Sequence, residues 1–116
     1  MRRIVLDMND GLLAEAVEQS LTRCDPDFIV YRSSNPEKTL DLCRVCHANV
    51  LVMEVMRQGV WKLSERLKIR NEVKKLGWDC KILLLVDERI DEMLAANVRQ
   101  ADVYKRQSLS RRILIM

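Results

Sequence analysis

Short apolar runs alternate with amphipathic segments along the first hundred residues, and this alternation restricts the chain to few folds. Four apolar runs, at residues 4–6, 28–31, 50–53 and 82–86, predict β-strands. A segment with helical spacing of apolar residues follows each run, so the predicted order is βαβαβαβα. Strands that are apolar on both faces indicate a parallel sheet covered by helices, and right-handed crossovers favour an open, doubly wound sheet.

The four predicted helices are marked by apolar spacing and by end signals. Ser34, Pro36 and Glu37 are typical of a helix start, and Gly77 is well placed to end the third helix, predicted over residues 61–76. Apolar positions mark the first and fourth helices: Leu13, Ala16, Val17 and Leu21, then Ile90, Leu94 and Val98.

Length and charge exclude several classes of protein. A chain of 116 residues makes one domain, and no apolar run reaches the roughly 18 residues of a membrane span. Asp7 interrupts the apolar start, which is unlike a secretory signal, so we expect a cytoplasmic location. Of the 20 basic and 17 acidic residues, four and one respectively fall in residues 102–116, which leaves 16 of each in residues 1–101. Residues 1–101 therefore carry no net charge, which gives no support to nucleic-acid binding.

The last fifteen residues differ from the rest. Residues 102–107, Asp-Val-Tyr-Lys-Arg-Gln, match the translation of a sequencing-library adaptor, the transposon mosaic end. We therefore expect an incomplete domain over residues 1–101 and a foreign tail over 102–116, whose deletion costs about 1 kcal/mol or less. The domain would lack its own fifth strand and helix, although residues 112–115 are apolar enough to add a makeshift edge strand.

Acidic residues follow the first and third strands, where open α/β sheets place their sites. Residues 4–10 (IVLDMND), 49–54 (NVLVME) and 81–86 (KILLLV), together with the strand order, resemble the receiver domain of bacterial two-component response regulators. The resemblance spans residues 3–101. It implies a flavodoxin-like fold with strand order 2-1-3-4, the fifth strand being missing or makeshift, and a role in signal transduction or transcription regulation.

The resemblance also implies a phosphotransfer site, and this chain departs from it. Receivers hold Mg²⁺ with an acidic pair after strand one, phosphorylate an Asp after strand three, and use a Ser or Thr after strand four and a later Lys. Here the acidic pair falls on Met8 and Asn9, the phosphoacceptor position carries Glu54, and the hydroxyl position carries Val86. Lys105 comes about three residues too early to be the family's Lys.

We therefore expect no enzyme activity and no phosphotransfer. Asp7, Asn9 and Asp10 form the predicted acidic pocket, and Asp10 with Glu54 could bind Mg²⁺ only weakly. Glu54 is either a fixed charge that partly imitates an acyl phosphate or a solvated carboxylate at a strand end.

The resemblance points to a protein partner or a like domain as the binding partner, with a homodimer as one form. It implies DNA contact only through an output domain that this sequence lacks, and no membrane contact. The alternative is a small flavodoxin-like cofactor-binding protein or enzyme. Against it, no Gly-rich phosphate loop follows any strand, since Gly11 and Gly59 are isolated.

Two further patterns have simpler explanations. Cys43, Cys46 and His47 spell the haem-attachment pattern C-x-x-C-H, and with Cys24 or Cys80 they could form a zinc set. Without an export signal, we expect four reduced cysteines, no covalent haem and no stoichiometric zinc. The basic residues of the third helix are predicted to lie on a solvated face: Lys62, Arg66, Lys68, Arg70, Lys74 and Lys75.

Overall fold

The computed structural model describes residues 2–33, 35–87, 102–105 and 111–115. The first half of the chain forms β1 (Arg2–Asp7), α1 (Gly11–Cys24), β2 (Phe28–Ser33), α2 (Pro36–Cys46) and β3 (Val50–Val55). A short 3₁₀ turn (Gly59–Trp61) precedes α3 (Leu63–Lys74), followed by β4 (Lys81–Asp87), β5 (Asp102–Lys105) and β6 (Arg111–Ile115).

The first four strands form a parallel sheet in the order β2-β1-β3-β4. This confirms the predicted α/β, flavodoxin-like fold class. The register pairs Asp7 with Ser33 on one side and with Met53 on the other, and Glu54 with Leu85. The carboxyl ends of β1, β2 and β3 are therefore level, and the residues that follow them meet at one edge of the sheet.

The outer edge of β4 is paired with the end of the chain. β6 runs antiparallel to β4, with Leu83 opposite Ile115 and Asp87 opposite Arg111. β5 pairs antiparallel with β6 and so runs parallel to β4, one strand away from it. The makeshift strand expected over residues 112–115 thus forms as β6, but it is not the edge strand, because β5 lies outside it. The predicted fourth helix lies outside the described residues.

The alternation of side chains along the strands builds two apolar layers, one on each face of the sheet. One layer combines Val5, Met53 and Leu84 with Cys43 of α2 and Val73 of α3. The opposite layer combines the neighbouring strand positions with Ala14 of α1: Ile4, Leu6, Val52 and Leu85. Helices on both faces follow from strands that are apolar on both faces, as the sequence predicted.

Three helix boundaries differ from the sequence prediction, and one of them is the end of the third helix, which lies at Lys74 and not at residue 76. Asn35 caps α2, its Oδ1 accepting from the Glu37 N–H at 3.0 Å, and Pro36 is the first helical residue. The third helix does not start at Trp61, because the chain is extended at Lys62 and the α-helix begins at Leu63. None of the described helices is long and apolar enough to cross a membrane.

Candidate functional site

A buried ion pair lies at the carboxyl end of β1. Asp7 and Arg66 are both fully buried, and Arg66 Nη1 donates to Asp7 Oδ2 at 2.7 Å. Arg66 Nη2 donates to Asp7 Oδ1 at 3.2 Å and to the Asp7 main-chain oxygen at 3.1 Å. Arg66 Nε donates to the main-chain oxygen of Glu54 at 2.8 Å. One guanidinium therefore joins α3 to the ends of both β1 and β3.

The same carboxylate is bound from a second helix. Thr39 of α2 donates its hydroxyl to Asp7 Oδ2 at 2.6 Å, and Ser33 at the end of β2 lies 3.2 Å from the Thr39 oxygen. Asp7 was predicted to form an acidic pocket with Asn9 and Asp10. In the structure both of its carboxylate oxygens are already hydrogen-bonded, and the side chain has no exposed surface.

Glu54, at the phosphoacceptor position of the resemblance, is also buried, with 3% of its surface exposed. Its Oε1 accepts from the backbone N–H groups of Asn9 at 2.8 Å and of Asp10 at 3.0 Å. The prediction of a solvated carboxylate is therefore wrong. The N–H groups lie just before α1, where the helix dipole favours a negative charge, so the carboxylate holds the β1–α1 loop in place.

The other predicted site residues have separate environments. Asp10 is exposed and caps α1, its Oδ1 accepting from the Leu13 N–H at 3.1 Å. Asn9 is exposed, and its side-chain nitrogen lies 3.5 Å from the Met56 sulfur. Met8 and Val86 are buried in the apolar layers. Of the predicted set, the structure brings together Glu54 with the backbone of Asn9 and Asp10, while Asp7 is bound to Arg66.

Mg²⁺ binding by Asp10 and Glu54 stays a prediction. Among the described residues, no group of three or more His, Cys, Asp or Glu side chains is placed to hold a metal ion. One oxygen of Glu54 already accepts two hydrogen bonds, and Asp10 is engaged at the start of α1. These contacts leave the pair fewer free ligand atoms than the sequence suggested.

Arg66 and Thr39 are the site residues that the sequence reasoning missed. Arg66 was assigned to a solvated basic face, and this is wrong because the side chain is fully buried. The helical spacing could have indicated that Arg66 is buried. Arg66 lies seven residues before Val73, which is also fully buried, so both occupy one face of α3. Of the other basic residues, Lys62, Lys68, Lys74 and Lys75 are exposed and Arg70 is partly buried.

The cysteines lie at the opposite end of the sheet. All four are free thiols, with Cys43 and Cys80 buried, Cys46 partly buried and Cys24 exposed. Burial raises the pKa of the Cys43 thiol to about 12 and of the Cys80 thiol to about 11, from an ordinary value of 9.0. Thiols that keep their protons are poor nucleophiles and poor metal ligands. The absence of covalent haem and of stoichiometric zinc stays a prediction.

His47, the remaining member of the C-x-x-C-H pattern, ends α2 in the left-handed region with φ 54°. Its ring stacks on Trp78, with centroids 4.2 Å apart, and the Trp78 indole donates to the Ala48 main-chain oxygen at 2.8 Å. The stacking gives His47 a packing role at the turn between α2 and β3.

A shallow cleft of about 240 Å³ opens beside the ends of β1 and β2. It is lined by Leu6, Met8, Asn9, Gly11, Ala14, Arg32 and Ser33. Its charged group, Arg32, already pairs with Glu18 at 3.3 Å. The volume is below the range of about 300–1,000 Å³ typical of small-molecule sites.

Comparison with protein-family models gives no match for this chain, and comparison with curated proteins gives none either. The fold and the side-chain geometry are therefore the basis of the functional proposal.

Proposed function

We propose that this chain is an atypical receiver-like domain that acts in signalling by binding another protein and does not transfer phosphate. The observation that supports this most directly is the state of Glu54. Its carboxylate is buried and accepts two backbone N–H groups of the β1–α1 loop, which is the arrangement of a structural anchor.

Three features speak against phosphotransfer. The carboxylate nucleophile position carries the longer Glu, whose oxygen is engaged with Asn9 and Asp10. Asp7, the acidic residue nearest the expected metal position, is neutralised by Arg66. Val86 is buried and offers no hydroxyl to a phosphoryl oxygen. Nucleophile, metal site and oxyanion stabilisation are all affected, and each contributes to the reaction that receivers perform.

The same features favour a binding role with one fixed conformation. The Glu54 carboxylate is part of the sequence and is not added by phosphorylation, and through Asn9 and Asp10 it fixes the loop that leads into α1. A charge built into the sequence biases the conformational equilibrium without a covalent signal. A single charge imitates only part of the roughly −1.5 to −2 of a phosphoryl group.

The first test is chemical. The chain is incubated with acetyl phosphate and Mg²⁺, and its intact mass is measured alongside a Glu54→Asp variant. We expect no phosphate-dependent mass increase in either, because the variant restores the nucleophile type but not the hydroxyl or the free Asp7. Phosphorylation of the native chain would overturn the proposal.

The second test concerns the loop. In Glu54→Gln the neutral amide is a weaker acceptor, so we expect faster amide hydrogen exchange at Asn9 and Asp10 and weaker binding of the partner. Glu65→Gln is the matched control, because Glu65 is a partly exposed residue of α3 that pairs with Lys68. Unchanged exchange and binding in Glu54→Gln would contradict the anchoring role.

The cleft beside β1 and β2 is the observation that bears on the alternative, a small cofactor-binding protein. The test is titration with FMN and with ATP, followed by tryptophan fluorescence. Because the cleft is small and Arg32 is paired with Glu18, we expect no saturable change at micromolar ligand. Saturable binding that Arg32→Ala abolishes would favour the alternative over the proposal.

A further inference from the structure

Among the residues that the structure describes, three large apolar side chains are exposed around the edge of the sheet where Glu54 lies. Leu12, in the first turn of α1, is 81% exposed, and Val60 and Met56, between β3 and α3, are 44% and 36% exposed. The Asn9 side chain touches the Met56 sulfur at 3.5 Å, which joins the two segments. We call Leu12, Met56 and Val60 the apolar rim. Exposed apolar side chains grouped in this way are typical of interaction sites.

The charges beside the apolar rim differ in sign between its two halves. Glu15 lies one helical turn after Leu12, so both are on the same exposed face of α1. Lys62 is exposed beside Val60 and makes no side-chain capping hydrogen bond. Neither residue takes part in an ion pair within the part of the chain that the structure describes.

The α1 half of the surface is apolar and acidic, with Leu12 and Glu15, and the β3–α3 half is apolar and basic, with Met56, Val60 and Lys62. Such a surface is complementary to a second copy of itself. A twofold axis brings the α1 half of one molecule against the β3–α3 half of the other, and repeats both contacts. Leu12 of each copy then packs on Met56 and Val60 of the other, while Glu15 approaches Lys62 twice. We infer that the apolar rim docks a second copy of this chain. This inference names the partner of the binding role proposed above and therefore rests on it.

The rigidity of the two halves supports this docking. Met56 is fixed by the hydrogen bond from its N–H to the Trp61 oxygen at 2.8 Å, which closes the segment between β3 and α3. The start of α1 is fixed by Glu54 and by the Asp10 cap. A preorganised surface loses little conformational entropy on association, which favours binding by a small contact. Because the apolar rim, as defined among the described residues, has three apolar side chains per copy, we expect a weak dimer, with a dissociation constant of about 10 μM to 1 mM.

The test is sedimentation of the full chain from about 10 μM to 1 mM, with Leu12→Ser and Val45→Ser compared. Val45 is the matched control, because it is also 81% exposed but lies near the end of α2, at the opposite edge of the sheet. We expect Leu12→Ser to weaken self-association roughly tenfold or more, because a twofold interface loses two copies of the side chain. Val45→Ser should leave it unchanged.

Charge exchange gives an independent readout. Glu15→Lys and Lys62→Glu should each weaken the dimer by placing like charges opposite each other, and the double variant should restore it to within about threefold of the native chain. A monomer at 1 mM, a dimer unaffected by Leu12→Ser, or a double variant weaker than both single variants would overturn the inference. If the chain is monomeric and also unphosphorylated by acetyl phosphate, the proposed function stands and its partner is a different protein.

Discussion

The buried pair of Asp7 and Arg66 allows a quantitative prediction. Replacing Arg66 by Met keeps the apolar stem of the side chain but removes all four hydrogen bonds of the guanidinium. Within the described part of the chain, the fully buried Asp7 carboxylate then keeps one side-chain hydrogen bond, from the Thr39 hydroxyl. Removing one partner of a buried ion pair costs about 3–5 kcal/mol, because the remaining charge is left uncompensated.

That cost is a large share of the total stability. Domains of this size unfold with about 5–15 kcal/mol, and each kcal/mol shifts the melting temperature by about 4–8 °C. We therefore expect Arg66→Met to lower the urea midpoint strongly and to melt at least about 12 °C below the native chain. Lys68→Met is the control, because the Lys68 ammonium is exposed and its pair with Glu65 is worth about 0–1 kcal/mol.

A double-mutant cycle separates the ion pair from general packing. Asp7→Asn alone leaves Arg66 buried without a counter-charge, whereas Asp7→Asn combined with Arg66→Met removes both charges. The double variant should therefore be less destabilised than the sum of the single variants, by about 2 kcal/mol or more. If Arg66→Met unfolds within about 1 kcal/mol of the native chain, the pair is not buried and the reasoning fails.

Three other predictions concern the tail and the cysteines. The pairing of β6 with β4 revises the expectation that deleting residues 102–116 costs about 1 kcal/mol or less: we expect a loss of about 1–3 kcal/mol in the free energy of urea unfolding. A loss below that range would show that β6 contributes little. Iodoacetamide at pH 8 should label Cys24 and Cys46 well before Cys43 and Cys80 in mass spectra, and equal rates would contradict their burial. Folding raises the pKa of the Cys43 thiol to about 12 and of the Cys80 thiol to about 11, from 9.0. The contribution of these two thiols to the free energy of unfolding is therefore complete below pH 9 and is lost as the pH rises through 11 to 12. Cys43→Ala should make this loss of stability with pH smaller.

Local pattern was sufficient for the fold class. The four apolar runs correspond to β1 to β4, because a strand that is buried on both faces of a sheet consists of consecutive apolar residues. The helical spacing of apolar residues correctly predicted α1, α2 and α3. Strand order 2-1-3-4 was implied by the resemblance, and crossover handedness favoured an open, doubly wound sheet. Helix ends were less well predicted: the cap of α2 is Asn35, and the third helix begins at Leu63.

The site was only partly contained in the sequence. Its location could be predicted, because the carboxyl ends of parallel strands meet at one edge and the acidic residues follow those strands. The hydrogen bonds and the ion pair within the site could not be predicted, because their partners are far apart in the sequence. Arg66 lies 59 residues from Asp7, and Asn9, whose N–H donates to Glu54, lies 45 residues from it. The sequence by itself determined which acidic residues reach this edge. Tertiary packing brought Arg66 to them and decided which charges pair, because pairing depends on the distances that the folded sheet and its covering helices impose.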